Sequence, residues 1–194
     1  MESPLHKIVI ELTHINTSLL KKFPGKDILS YGAVFNNVYL LCLHNGVKKK
    51  GIPPIKISDY PTLEPYLRSF GDNFYNRGEQ GDEWYNLRNC AYIEDFEHPK
   101  ILYSDIVNDK GRFYYNEKSF YSNDTAFMIS SDTPNDLKFL TAILNSTLFT
   151  YCYRNFYSGG GLGKKGLRYK KEFIRTVPIP IPGLDTKNSN LRVS

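Results

Sequence analysis

Cysteine and histidine are scarce in this sequence. The three cysteines, Cys42, Cys90 and Cys152, are odd in number and far apart, and the four histidines, His6, His14, His44 and His98, fall at no C-x-x-C or H-x-x-x-H spacing. This argues against a disulfide framework or a zinc site and leaves the thiols as buried neutral side chains. Long apolar runs are missing too. The longest clear one, VYLLCL at 38–43, is far short of the roughly 18 residues a membrane helix requires. The start MESPLHKIVIEL lacks the apolar stretch of a signal peptide, so a soluble, cytoplasmic protein with no membrane partner is expected.

Catalytic motifs are also absent. No Asn-Pro-Pro-Tyr or Asp-Pro-Pro-Tyr occurs, and IPPI at 52–55 lacks both the polar residue before the prolines and the aromatic after them. In EDFEHPK, Glu97 and Lys100 are three apart where a nuclease cluster would place them two apart, so these charges are expected to face water. The stretch SGGGLGKKG holds a literal G-x-G-x-x-G in Gly161, Gly163 and Gly166. A dinucleotide cradle needs a strand before the glycines and a helix after them, and here a helical pattern enters instead. A Walker loop fails as well, because Ser158 stands where its first glycine belongs and Lys164 is followed by Lys165. The glycines read as a mobile basic loop, and no cofactor is expected in this chain.

What is present is one domain's worth of core and a segregated charge. At 194 residues and 41% hydrophobic, the chain suits a single domain over 1–194, with room for two lobes and a loose tail at 184–194. The net charge of +5 hides two opposed segments. Residues 59–97 carry nine acids against Arg68, Arg77 and Arg88, whereas residues 154–175 carry seven bases against Glu172 alone. The bases interleave with Tyr153, Phe156, Tyr157 and Tyr169, a pattern that points to an anionic polymer such as nucleic acid.

The pattern predicts a mixed α+β fold of helices and small antiparallel or mixed sheets. A short helix is expected through Leu19 and Leu20, stopped near Pro24. VFNNVYLLCL reads as a hairpin or a turn into a buried strand, because Asn-Asn tolerates positive φ, and VKKKGIPPIKI reads as a loop. Leu63, Tyr66, Leu67 and Phe70 recur at helical spacing behind Ser58 or Asp59 as caps, and Trp84 reads as a core anchor. PKILYSDIV and GRFYYNEKSFYSNDTAFMIS supply three or four strands. The strongest helix signal opens on Thr133 and Pro134 and carries Leu137, Leu140, Leu144, Leu148 and Cys152 to about Asn155. EFIRTVPIPIPG is expected to be at most an edge strand.

Several of these pieces, FPGKDILSY, YPTLEPYL, EWYNLRN, FEHPKILYSDI, LTAILNSTLF and FIRTVPIPIP, occur in the order and rough spacing of a known family. From about Leu20 to Pro182 the chain resembles the TaqI-like C-terminal specificity domain of adenine-N6 DNA methyltransferases and fused type II restriction-modification enzymes. The Leu-Asn-Ser helix with its Pro-Ile-Pro ending is also similar to half of a type I restriction specificity subunit. The resemblance implies a target-recognition domain that reads double-stranded DNA beside a separate methyltransferase domain or subunit, which binds S-adenosylmethionine. It also implies that the shared motifs are core and turn residues: Leu144 on the helix stripe, Trp84 beneath a lobe, Pro178 and Pro180 closing a sheet edge. The chain would be a fragment, a gene remnant or a separately encoded subunit.

Charge and loop position then suggest the contacts. Lys164, Lys165, Lys170 and Lys171 are expected to grip the phosphate backbone, with Lys48, Lys49 and Lys50 as a second patch. Arg112, Arg168 and Arg175 suit base edges or bidentate phosphate contacts, because the guanidinium fork matches paired acceptors. A protein-interaction module or inhibitor using the acidic segment 59–97 is the alternative reading.

Overall fold

The computed structural model describes residues 19–122, 125–158, 166–179 and 192–193. In chain order the strands and α-helices are β1 (Leu19–Phe23), β2 (Ile28–Leu29), β3 (Gly32–Ala33), β4 (Tyr39–Leu41), α1 (Leu63–Arg68), α2 (Asp72–Tyr75), β5 (Lys100–Ser104), β6 (Ile106–Val107), β7 (Phe113–Asn116), β8 (Tyr121–Ser122), β9 (Ala126–Ser130), α3 (Pro134–Leu144), α4 (Thr147–Cys152), β10 (Leu167–Arg168), α5 (Lys171–Ile174) and β11 (Arg192–Val193). Short helices and small sheets with no barrel among the described residues make this a mixed α+β fold, as the sequence pattern predicts. The chain divides into two compact units, one of Met1–Leu20 with Tyr39–Ile93 and one of Lys21–Val38 with Glu94–Ser194.

The second unit is organised by β5. KILYS is buried at all five positions, because β7 pairs along one edge and β9 along the other, both antiparallel, and side chains on both faces are covered. β11 adds a fourth strand next to β9, with Arg192 opposite Ser130. Of the expected loose tail at 184–194, only this strand falls among the described residues. Helix α3 lays Leu137, Leu140 and Leu144 onto the sheet, where they join Ile101, Tyr103, Phe113 and Ile129. Thr133 and Pro134 open the helix as the sequence predicts.

That helix does not run on to Asn155. Asn145 turns back and clamps the neighbouring strand: its Oδ1 accepts from the Phe113 amide at 3.1 Å and its Nδ2 donates to the Phe113 carbonyl at 2.7 Å. Ser146 then caps a new helix, its Oγ accepting from the Phe149 amide at 3.0 Å. The break rotates the apolar stripe. Leu148, expected inside, is 71% exposed, and Phe149 and Tyr153 are buried in its place. The chain continues from α4 as one π-helical turn, Tyr153–Tyr157.

Three further expectations need correction. Leu19–Phe23 is a strand, because Lys22 and Phe23 pair in parallel with Tyr121 and Ser122, a partnership a hundred residues away that local periodicity cannot report. Lys171–Ile174 is a helical turn rather than an edge strand, and it buries Ile174. Lys100 does not face water. Its side chain is fully buried, and Nζ donates to the carbonyls of Phe96 (2.6 Å), Lys118 (2.8 Å) and His98 (3.1 Å). Burial pushes this ammonium down to about 8, opposed by the nearby Glu97 carboxylate.

The first unit is built differently. Leu63 and Leu67 of α1 pack with Leu43 and Tyr60, while Phe70, expected on the same inward face, is 52% exposed. The helix starts at Leu63, past Ser58 and Asp59, which instead belong to a separate 3-10 turn at Ile57–Asp59. Asn37 has a φ of +55° ahead of β4, fitting the expected Asn-Asn turn, although β4 itself is only half-buried. Trp84 is half-buried in an aromatic group with Phe74, Tyr75 and Tyr85, and the Arg68 guanidinium lies 5.0 Å from its ring centroid. The fully buried member of that motif is Asn86, whose Nδ2 donates to the carbonyls of Ile55 (3.2 Å) and Leu43 (3.4 Å).

Candidate nucleic-acid interface

The basic stretch after the glycines forms a two-residue strand, Leu167–Arg168, ahead of α5. Leu167 and Tyr169 are buried, whereas Arg168 and Lys170 are exposed, so over these four residues the alternation sorts aromatic and aliphatic side chains inward and bases outward. The interleaved tyrosines therefore serve the core. Tyr153 and Tyr169 stack at 4.4 Å, and the Tyr153 hydroxyl donates to the Arg168 carbonyl at 2.9 Å. Of the aromatics in the stretch, Phe156 is the open one, 72% exposed.

Arg168 is held from the side as well. β10 pairs antiparallel with β6, with Arg168 opposite Ile106. Its Nε donates to both carboxylate oxygens of Asp105, at 3.0 and 3.3 Å. Asp105 is itself fixed through its backbone: its amide donates to the Thr125 carbonyl at 3.1 Å and its carbonyl accepts from the Tyr169 amide at 2.7 Å. Arg168 and Asp105 line one groove together with Lys26, Pro24, Ser104, Ile106 and Thr125. Gly25, between the lining residues Pro24 and Lys26, abuts Thr125. A Cβ there would stand 2.2 Å from the Thr125 carbonyl oxygen, so the close approach of the two segments requires glycine.

The remaining candidate bases have other settings. Lys170 precedes α5 and is exposed, and Lys171 opens the helix half-buried. Arg175 follows α5. Its Nη2 donates to the Val193 carbonyl at 3.3 Å, and it lines an apolar pocket with Ile129, Leu140, Ile174 and Val177. Arg112 lies 3.9 Å from Asp109, a long contact between partly exposed groups. In the first unit Lys48–Lys50 form one 3-10 turn, entirely exposed, that closes through Gly51 at φ +70° and a bridge between Val47 and Ile52; Lys48 is 3.9 Å from Asp82. Lys164 and Lys165, like the first glycines of the loop, lie outside the described residues, as does Pro180.

The structure thus brings Arg168 together with two residues that charge counting passed over. Lys26 sits within FPGKD, a segment notable in the sequence only for its turn residues, and Asp105 reads there as one more acid between strands. No local signal marks an acid that will meet an arginine 63 positions later. Their pairing is visible only once β6 and β10 are adjacent.

No curated protein matches the chain. Residues 20–179 match the TaqI-like C-terminal specificity domain. That span runs from β1 through α5 and takes in every motif whose structural duty is described above: Asn86 between two loop carbonyls, Lys100 among three, Asn145 on Phe113 and Ser146 at its helix start. The chain therefore belongs to the TaqI-like C-terminal specificity domain family, the DNA-recognition domains associated with methyltransferases.

Proposed function

We infer that this chain is the sequence-reading part of a restriction-modification system, binding duplex DNA for an adenine-N6 methyltransferase and performing no chemistry itself. Transfer of the methyl group from S-adenosylmethionine would fall to a separate catalytic domain or subunit. The family match across 160 residues, 20 to 179, carries this reading. The disposition of bases supports it: Lys26 and Lys170 are outward-facing cations beside buried neighbours, a suitable arrangement for holding register on a phosphate backbone.

Fluorescence anisotropy of the whole chain with a labelled duplex at low salt tests it. Binding should weaken as salt rises, with log K falling by about 0.9 per neutralised phosphate for each unit of log salt. Changing Lys164, Lys165, Lys170 and Lys171 together to Ala should flatten that slope by roughly 3 to 4. Calorimetric titration with S-adenosylmethionine should show no heat of binding. A chain that ignores duplex DNA at low salt, or that transfers methyl groups on its own, would overturn the proposal.

A further inference from the structure

We propose that Asp105 and Arg168 form a guanine-reading subsite in the groove lined by Lys26, Ser104, Ile106 and Thr125, an assignment that rests on the DNA-binding reading above. Only one part of the guanidinium is committed. Asp105 takes Nε through both of its oxygens, while Nη1 and Nη2 have no hydrogen-bond partner among the described residues. The side chain of Asp105 is 10% exposed and that of Arg168 45%, so the carboxylate is the buried anchor and the guanidinium the presented group. The two free amino groups form a parallel pair of donors. Their spacing fits the N7 and O6 acceptors that guanine shows in the major groove.

Charge decides between guanine and phosphate. A phosphate-binding arginine gains from an unopposed positive field, whereas a carboxylate 3.0 Å away largely cancels that field and repels an incoming anion. What the pair retains is direction. A base edge is neutral and rewards aimed donors without demanding net charge, so the buttressed arginine favours it. Lys26, on the same groove and in no ion pair among the described residues, is the better phosphate contact. Ile106, opposite Arg168 in register and 52% exposed, offers an apolar surface beside the base edge.

Preorganisation favours the same reading. Arg168 sits between Leu167 and Tyr169, exposed 1% and 0%, and its carbonyl is held by Tyr153. Asp105 is pinned through both its amide and its carbonyl. Little rotamer entropy remains to be lost when the donor pair meets its target. Asp105 acts here as a positioning residue, touching no base.

The test starts by selecting a preferred duplex from a randomised pool with the whole chain. Each guanine in it is then replaced, one at a time, by 7-deazaguanine, which lacks only the N7 acceptor. Wild-type affinity should fall roughly 5- to 150-fold at one guanine. Arg168→Ala should weaken the preferred duplex by a similar factor, leave random duplex nearly unchanged, and show no further loss on the 7-deaza substitution. Arg168→Lys keeps the charge and loses the fork, so it should hold random DNA while losing discrimination at that guanine. Asp105→Asn should lose the same discrimination yet bind random duplex more tightly, an opposite pair of shifts that a merely structural residue would not produce. Equal weakening of all duplexes by Arg168→Ala would make Arg168 a phosphate contact and overturn the subsite. So would continued 7-deaza sensitivity at the same guanine in that variant. Failure of the wild-type chain to bind any duplex would instead overturn the DNA reading, and the subsite with it.

Discussion

Among the described residues, thirteen buried side chains join in one apolar cluster in the second unit, whereas the corresponding cluster of the first unit has four. The larger cluster lies between a sheet and a helix, where the backbone behind the buried side chains is satisfied by its own ladder and helix hydrogen bonds. The smaller one lies among loops and two short helices. There backbone groups are satisfied by side chains: Asn86 and Arg77 donate to carbonyls, Arg77 to that of Asn86 at 2.7 Å, and Asn45 accepts from the Asp82 amide at 2.9 Å while donating to the Asn89 side chain. The difference teaches that a loop-rich unit can be held by a few buried amides where apolar area is short. The two kinds of core should fail differently under mutation.

Leu144→Ala in the second unit should have the largest effect, a loss of about 2 to 5 kcal/mol from the cavity left under α3, read by denaturant unfolding. A loss under about 1 kcal/mol would mean that the sheet-helix core is not close-packed at this position. Asn86→Ala in the first unit should cost roughly 2 to 4 kcal/mol, because the carbonyls of Leu43 and Ile55 lose a donor while remaining covered. If it proves neutral, the contrast between the two cores collapses.

Lys100 gives the second unit a pH signature. Its folded-state value of about 8 lies below the ordinary 10.5, so between these values the unfolded chain binds more protons and stability rises with pH. The stability of wild type relative to Lys100→Met should therefore climb between pH 8 and 10.5, by up to about 3 kcal/mol, and stay flat below that interval. A difference that does not vary with pH would show the ammonium to be hydrated. Trp84→Ala should have the smallest effect, roughly 1 to 2 kcal/mol, since this ring is only half-buried and its aromatic neighbours can close over the gap. Intact stability with lost DNA binding would instead make Trp84 a contact residue.

Much of this contrast was legible in the sequence. The strands from Lys100 to Ser130 announce themselves through runs of Ile, Tyr, Phe and Val between turn residues, and α3 through Thr133, Pro134 and a leucine stripe. What local patterns could not supply was any feature decided by a distant partner. Leu19–Phe23 became a strand because of Tyr121 and Ser122, and Leu148 was turned outward because Asn145 is engaged by Phe113. The site follows the same rule. Arg168 was identifiable by charge and by the geometry of its side chain, yet the residue that aims it, Asp105, emerges only from the pairing of β6 with β10. Trp84 drew notice by rarity, whereas the buried hub three positions from the end of the same motif, Asn86, looked like any polar residue in a loop.

The ammonium of Lys100 has one more consequence. A lysine enclosed by three carbonyls is sealed from solvent and unable to act as a nucleophile until the strand that carries it comes loose. Exposed lysines such as Lys48, Lys49 and Lys50 should acylate readily with an amine-reactive reagent, while Lys100 should react only through transient opening. Its labelling rate, followed by mass spectrometry, would then count how often β5 leaves the sheet, a clock for breathing motions built into the centre of the domain.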